Sequence, residues 1–282
     1  MPELPEIETI VRQLNRYILN KEIIKINIYD EKVVDKKIKD LVPTKINKIF
    51  RRGKSIILEL NNDRYLLVHL RMTGHFHYLD NLNNLDNLNN LNNFDQNYGP
   101  YRFKKYMVSR FDFSDGSFLT HNSIRKFGGI KFFNKEGLQE NLSKLGIEPL
   151  DDGFTLQSFK EILTKKLTMN VKSLLMDQGI IVGIGNIYAQ EILYLSGISP
   201  LRKVSSLSSS EIRKLYEDLR KILKSAIKHQ GSTVDNYSNL EGKGNFQNYH
   251  NVYNKVVCKM GHKLIKVVIN GRGTTYCPDC QK

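Results

Sequence analysis

The spacing of apolar residues divides the chain into a β-rich first part and a helical second part. Behind Pro5, the apolar residues Ile7, Ile10 and Leu14 recur at helical spacing and predict an N-terminal helix. Short alternating runs then predict strands over 23–29, 44–50, 55–60, 65–70, 75–78, 107–113 and 117–120. From about residue 154, the pattern favours helices over 156–164, 172–175, 187–195 and 209–229.

This pattern predicts an α+β protein, with an N-terminal helix and an antiparallel β-sandwich followed by helices. We expect a β domain over 1–132, a linker over 133–153, a helical domain over 154–250 and a short Cys-bearing domain over 251–282. Two segments interrupt this order. Residues 80–97 hold nine Asn in eighteen positions and predict a flexible insertion, and 231–248 form a Gly- and Asn-rich loop.

Charge indicates the partner. The chain carries 43 Lys and Arg against 29 Asp and Glu, a formal charge of +14. Such a surplus attracts a polyanion, so nucleic acid is the leading candidate. We see no apolar run of membrane-spanning length and no leader segment, and therefore expect a cytoplasmic, nucleoid-associated protein with no membrane partner.

The three cysteines predict a metal site. Cys258, His262, Cys277 and Cys280 form a C-x3-H…C-x2-C pattern with fourteen residues between its halves, close to the spacing of structural zinc sites. Asn270-Gly271 between the halves predicts a β-hairpin turn. Four protein ligands leave no open position, so the zinc would be structural; three reduced surface thiols and an unrelated His are the alternative.

Pro2 offers a candidate nucleophile. If Met1 is removed, Pro2 becomes the amino terminus, whose pKa of about 7.7 to 8.0 leaves a useful unprotonated fraction at neutral pH. Its attack on a carbonyl-like carbon would give an iminium, and the adjacent Glu3 could move protons. The alternative is that Pro2 only starts a helix, whose first turn the carboxylates stabilise.

Gly183 and Gly185 precede a predicted helix, where free backbone N–H groups favour an anion. We interpret this segment as an element that grips the DNA backbone. A tight helix-to-helix turn with Asn186 as N-cap is the alternative.

The chain resembles the formamidopyrimidine-DNA glycosylase family nearly from end to end. The matching segments are MPELPEIET at the amino terminus, RRGKS at 51–55, HLRMTG at 69–74, IRKFG at 124–128, LLMDQGIIVGIGNIYAQE at 174–191, GSTV at 231–234 and NGRGTTYCPDCQ at 270–281. The resemblance implies a helix-two-turn-helix domain and a β-hairpin zinc finger. It also implies a base-excision repair enzyme that excises oxidised purines and nicks the strand by β,δ-elimination.

The resemblance also implies residue roles. Pro2 would attack the anomeric sugar carbon, Glu3 would protonate the ring oxygen, and Lys54 would contact phosphate near the lesion. Double-stranded damaged DNA would be the partner of a monomer that needs no small-molecule cofactor. The remaining implied residues are Met72, Arg125 and Phe127 for intercalation and the opposite base, His69, Asn186 and Arg272 for phosphates, and Glu6, Ser232, Thr233 and Val234 for the base pocket and its lid.

Three features depart from the family pattern. Gly261 occupies the position of the usual second Cys of the finger and His262 follows it, Ser123 stands where an Asp is common, and the Asn-rich insertion has no counterpart. Two other functions stay open: an endonuclease VIII-like glycosylase for oxidised pyrimidines, and a non-catalytic protein that binds damaged DNA.

Overall fold

The computed structural model describes residues 1–80, 106–233 and 237–282, which form two compact units. The first unit comprises Met1–Pro2, Glu6–Leu142 and Gln230–Asn245, and the second comprises Glu3–Pro5, Ser143–His229 and Phe246–Lys282. The predicted insertion over 80–97, apart from Asp80, lies outside the described residues, as does Val234. The four-part division of the chain stays a prediction.

The predicted antiparallel β-sandwich is confirmed. Helix α1 spans Leu4–Ile18, and an eight-stranded sheet follows in the order β5-β7-β6-β1-β2-β3-β4-β8. Strands β1 and β2 share only two residue pairs, so the sheet folds as two four-stranded halves. The strands are β1 Glu22–Ile28, β2 Thr44–Arg52, β3 Ser55–Leu60, β4 Arg64–His69, β5 Gly74–Leu79, β6 Met107–Phe113, β7 Phe118–Ser123 and β8 Gly129–Asn134.

The core of the first unit explains why the apolar pattern predicted α1 and most of the strands. Ile7, Ile10 and Leu14 of α1 are buried in one cluster with side chains from both halves of the sheet. Burying each such side chain contributes about 1.5–3 kcal/mol. The pattern does not predict β8 or helix α2, Lys135–Ser143, whose one buried residue is Leu138 and whose apolar stripe is correspondingly weak.

The second unit holds the predicted helices and hairpin. Its elements are α3 Leu156–Thr164, α4 Val171–Met176, α5 Asn186–Ser196, α6 Ser209–Lys228, β9 Ile265–Ile269 and β10 Arg272–Tyr276. Ser208 caps α6 and forms a reciprocal capping box with Glu211. Asn270 and Gly271 have φ of 47° and 71°, as the predicted hairpin turn requires. Among the helices that the structure describes, none is long and apolar enough to cross a membrane.

A close backbone approach fixes the loop that leads to α5. The Gly146 amide donates to the Gln178 carbonyl at 2.8 Å, and the Val182 amide donates to the Ile147 carbonyl at 3.0 Å. A Cβ at Gly146 would lie 2.2 Å from the Ile180 carbonyl oxygen, so only glycine permits this approach. These backbone hydrogen bonds hold the base of the 178–185 loop, and the Gln178 side chain, which donates to the Ile184 carbonyl at 2.8 Å, closes the loop on itself.

We predict that Gly146→Ala lowers the free energy of unfolding by about 2–3 kcal/mol, because the new methyl group forces the two backbone segments apart. Gly153→Ala is the matched control, since a Cβ there meets nothing within 4 Å. Denaturant unfolding of the two variants checks this. Equal stability of the two variants would show that the approach is not required.

Candidate functional site

The Glu3 carboxylate caps helix α5. Its two oxygens accept hydrogen bonds from the Gly185 amide at 2.7 Å and from the Ile187 amide at 2.9 Å. The helix dipole favours negative charge at this end. The Gly-rich turn was predicted to offer its N–H groups to a phosphate, but the anion that these two amides bind is Glu3. The N-cap is Gly185, and Asn186 is the first residue of α5.

The same turn holds the residue after Glu3. The Leu4 amide donates to the Gly183 carbonyl at 2.9 Å, and Gly183 has a φ of 93°. A Cβ on Gly183 would lie 2.8 Å from Leu4 Cβ. Pro2, which is buried, directly precedes these anchored residues. Its nitrogen is bonded here to Met1 and becomes an amine when Met1 is removed.

A buried lysine that the sequence analysis missed lies near Glu3. Lys172 of α4 donates to Asn186 Oδ1 at 2.7 Å and to Thr274 Oγ1 at 2.6 Å. Burial lowers its pKa to about 8, an effect that the Glu3 charge opposes and the Arg272 charge reinforces. The sequence holds one signal that could have revealed this lysine: Lys172 stands among the apolar residues Val171, Leu174 and Leu175. The structure buries all four side chains.

Asn186 and Arg272, two residues predicted to contact phosphate, lie in this region. Asn186 contacts Lys172, and Arg272 belongs to the hairpin. Asn186 accepts from Lys172 and donates through Nδ2 to the Gly273 carbonyl at 3.1 Å. Arg272 is exposed at the start of β10. Asn186 and Lys172 thus join α5 to the hairpin, and Arg272 lies next to Gly273, whose carbonyl accepts from Asn186.

Lys54 and His69 lie in the first unit. Lys54 is buried in the tight turn between β2 and β3. Burial, followed by the charges of Arg71 and Lys54, lowers the pKa of His69 to about 4. His69 is therefore neutral at physiological pH, and its Nδ1 accepts from the Arg71 amide at 3.2 Å.

The three predicted intercalation residues come from two neighbouring turns. Met72 is 43% exposed and Phe127 is 66% exposed. Arg125 Nη1 lies 3.4 Å from Met72 Sδ. Ser123, the residue that departs from the family pattern, accepts from the Lys126 amide at 3.1 Å. The turn after β7 is thus held by a hydroxyl.

Glu6 binds the beginning of the predicted lid. Its Oε1 accepts from the Ser232 amide at 2.7 Å, and the Tyr237 hydroxyl donates to the Glu6 carbonyl at 3.2 Å. Gly231 has a φ of 79°, and a Cβ there would lie 2.7 Å from Glu6 Oε1. The structure brings together Glu6 and Ser232, and Thr233 follows directly in the chain.

The four predicted metal ligands converge. One ligand atom each from Cys258, His262, Cys277 and Cys280 lies within 4.8 Å of the other three. His262 Nδ1 is 3.2 Å from Cys280 Sγ and 3.7 Å from Cys277 Sγ, and Cys258 Sγ is 3.9 Å from Cys280 Sγ. Tetrahedral zinc with ordinary bond lengths requires separations of about 3.5–3.8 Å. The observed separations bracket this range, and the three thiols and one imidazole are a donor set that fits structural zinc, with His262 presenting Nδ1 to the sulfurs.

The environment of Cys258 favours a thiolate. Burial alone would raise the pKa of this thiol, but hydrogen bonds from the backbone amides of Met260 and His262 lower it to about 6. Zinc binds the thiolate form.

Comparison with known proteins identifies the family. The model described as Formamidopyrimidine-DNA glycosylase N-terminal domain matches residues 1–130, the H2TH domain of the same enzyme matches 145–238, and Zinc finger found in FPG and IleRS matches 261–282. Formamidopyrimidine-DNA glycosylases of Bacillus cereus and Carboxydothermus hydrogenoformans are 39% and 37% identical to the whole chain, over 99% and 100% of their own lengths. The chain belongs to the formamidopyrimidine-DNA glycosylase family.

Solved structures agree with this assignment. The Lactococcus lactis Fpg bound to DNA with an abasic site has a TM-score of 0.85 and 32% identity, over 99% of both chains. A mutant of the L. lactis enzyme bound to DNA containing Fapy-dG has the same TM-score and identity over 100% of both chains.

Membership in the formamidopyrimidine-DNA glycosylase family confirms several predictions made from the sequence. They are the fold class, the structural zinc, the enzyme class of a bifunctional glycosylase and AP lyase, and the function in base-excision repair of oxidised purines. Both solved relatives are DNA complexes, which supports the predicted DNA partner.

We predict that Lys172→Met removes a pH-dependent contribution to stability. The pKa of Lys172 is lowered from 10.5 to about 8 in the folded state, so between pH 8 and 10.5 the unfolded chain binds the extra proton. The free energy of unfolding of the wild type should therefore rise relative to that of the variant as pH increases through this window. Denaturant unfolding at several pH values measures the difference. Lys224→Met, at an exposed position on α6, is the control, and identical profiles for both variants would contradict the prediction.

We predict that His262→Ala weakens zinc retention, whereas His262→Cys preserves one zinc per chain, because cysteine restores a fourth ligand. Elemental analysis and competition with a chromophoric chelator measure retention. A cobalt-substituted wild type should also show the absorption of a three-sulfur, one-nitrogen site. Lys263→Ala at the exposed neighbouring position is the control. Zinc held by His262→Ala as tightly as by the wild type would exclude His262 as a ligand.

Proposed function

We propose that Pro2, freed by removal of Met1, is the nucleophile that displaces an oxidised purine, such as 8-oxoguanine or a formamidopyrimidine, from DNA. The observation that carries this proposal is the anchoring of the next two residues. Glu3 accepts from the first amides of α5, and Leu4 donates to Gly183. A terminal amine is otherwise mobile, and positioning a nucleophile contributes strongly to catalysis.

In the proposed reaction, Pro2 forms the bond to the sugar and Glu3 transfers the proton. The Pro2 nitrogen attacks the anomeric carbon, the glycosidic bond breaks, and its electron pair leaves with the base. The proton of the attacking amine moves through Glu3 to the ring oxygen, which opens the sugar and leaves an iminium. Loss of the C2′ proton then expels the 3′ phosphate, and a second elimination expels the 5′ phosphate.

Polar and charged side chains in each unit support DNA binding. We assign the phosphate contacts to Lys54 and His69 in the first unit and to Asn186 and Arg272 in the second. Lys54 is buried and close enough to His69 for its charge to lower the pKa of the imidazole. The zinc holds the hairpin that presents Arg272, because so short a segment cannot bury enough apolar surface to fold alone.

The exposed wedge supports extrusion of the damaged base. Unstacking a nucleotide costs a few kcal/mol and leaves a gap in the duplex. The half-exposed Met72 and the exposed Phe127 can fill that gap, and Arg125 can donate to the orphaned cytosine. We assign the pocket for the extruded base, and its lid, to Glu6, Ser232, Thr233 and Val234.

We further expect a monomer without a small-molecule cofactor that acts on the nucleoid in the cytoplasm. One chain supplies all the residues assigned above, and the formal charge of +14 favours binding to DNA.

Borohydride trapping on a duplex with 8-oxoguanine opposite cytosine should yield a DNA adduct on Pro2, identified by mass spectrometry of the cross-linked peptide. An uncleavable N-terminal extension should abolish the adduct and excision while lesion binding persists, because the nitrogen then remains an amide. The same extension at the carboxyl end is the control. Unchanged excision with the N-terminal extension would refute the assignment of Pro2.

Two other outcomes would indicate the alternatives. An adduct formed only on oxidised pyrimidines would favour the endonuclease VIII-like function. Tight lesion binding without any adduct would favour a non-catalytic protein.

A further inference from the structure

Met72 and Phe127 each follow a residue with a strained backbone. Arg71 has a φ of 51° and Lys126 has a φ of 54°. For residues other than glycine, this left-handed conformation is unfavourable, and it persists only where the surroundings fix it. The two exposed apolar side chains therefore depend on contacts that hold the preceding residues.

Side chains of the first unit hold the strained residue in the turn after β7. The Lys126 amide donates to Ser123 Oγ at 3.1 Å, and Lys126 Nζ forms an ion pair with Asp30 at 2.6 Å. In the turn after β4, the Arg71 amide donates to His69 Nδ1 at 3.2 Å.

A pair of hydroxyls connects the two turns. Thr73 Oγ1 accepts from the Arg125 amide at 2.8 Å and lies 3.5 Å from Ser123 Oγ. Thr73 and Ser123 are both buried, so the Arg125 and Lys126 amides that they bind are held in a constant position. Each hydroxyl is neutral and adds no negative charge beside the surface that would meet DNA.

We propose that Thr73 and Ser123 are positioning residues that determine opposite-base selectivity. Their hydroxyls fix the backbone of Arg125 and Lys126. They thereby determine the direction of the Arg125 guanidinium and how far the Phe127 side chain extends from the surface of the first unit. This inference rests on the proposed role of Arg125 in reading the base opposite the lesion. Hydrogen bonds to a base edge distinguish cytosine from adenine only when the donor is correctly placed.

The test uses Thr73→Val and Ser123→Ala, which remove the hydroxyls with little change in volume. Two matched controls lie in the same unit. Thr44→Val and Ser109→Ala remove buried hydroxyls that have no hydrogen-bond partner among the described residues. The measurement is the ratio of kcat/KM for 8-oxoguanine opposite cytosine to that opposite adenine.

We expect the ratio to fall about fivefold in Thr73→Val and in Ser123→Ala, as loss of one hydrogen bond implies. The controls should keep the wild-type ratio, and Thr73→Ser should restore it, because serine retains the hydroxyl. Zinc content and thermal unfolding identify any variant that fails to fold, in which case the other hydroxyl variant decides.

The failure of this inference differs from the failure of the proposed function. If Arg125→Ala lowers the ratio but Thr73→Val and Ser123→Ala behave like their controls, the positioning role is overturned. If Arg125→Ala leaves the ratio unchanged, the proposed role of Arg125 fails and the inference fails with it. If the wild type excises neither substrate, the proposed function itself is wrong.

Discussion

The hydrogen bonds between the Glu3 carboxylate and the first amides of α5 are the constraint on which the candidate site depends. They satisfy helix N–H groups that would otherwise lack a partner, and they place negative charge at the positive end of the helix. Because Pro2 directly precedes Glu3, the same bonds limit where its nitrogen can lie. Stabilisation of the helix and placement of the proposed nucleophile thus come from one carboxylate.

Helix α5, which Glu3 caps, is hydrogen-bonded to the hairpin of the second unit. Asn186 donates to the Gly273 carbonyl, and Gln190, one turn later on the same helix face, accepts from the Thr275 amide at 2.6 Å. The buried Lys172 bonds to both Asn186 and Thr274. These bonds hold one edge of the hairpin, and the Cys258, His262, Cys277 and Cys280 cluster closes its base. A helix terminus and a metal site therefore support the position of Arg272 from two sides.

The first unit shows a different balance between stability and function. Its core buries the apolar face of α1 and both halves of the sheet, yet Met72 and Phe127 remain exposed beside residues with strained backbones. Exposed apolar groups and left-handed non-glycine residues both oppose folding. Places where local structure works against stability in this way are commonly functional sites.

The sequence by itself determined the features that depend on neighbouring residues. They include α1 and most strands from apolar spacing, the Asn270-Gly271 hairpin turn and the metal ligands from their separation. Only the tertiary structure decided that the anion at the Gly183–Gly185 turn is Glu3, about 180 residues earlier in the chain, and that Lys172 is buried rather than solvated. The exposure of Met72 and Phe127 was likewise not readable from local pattern, since both are apolar residues of a kind that is usually buried. Short-range periodicity specifies elements, whereas burial and the pairing of charged groups depend on which distant segments fold together.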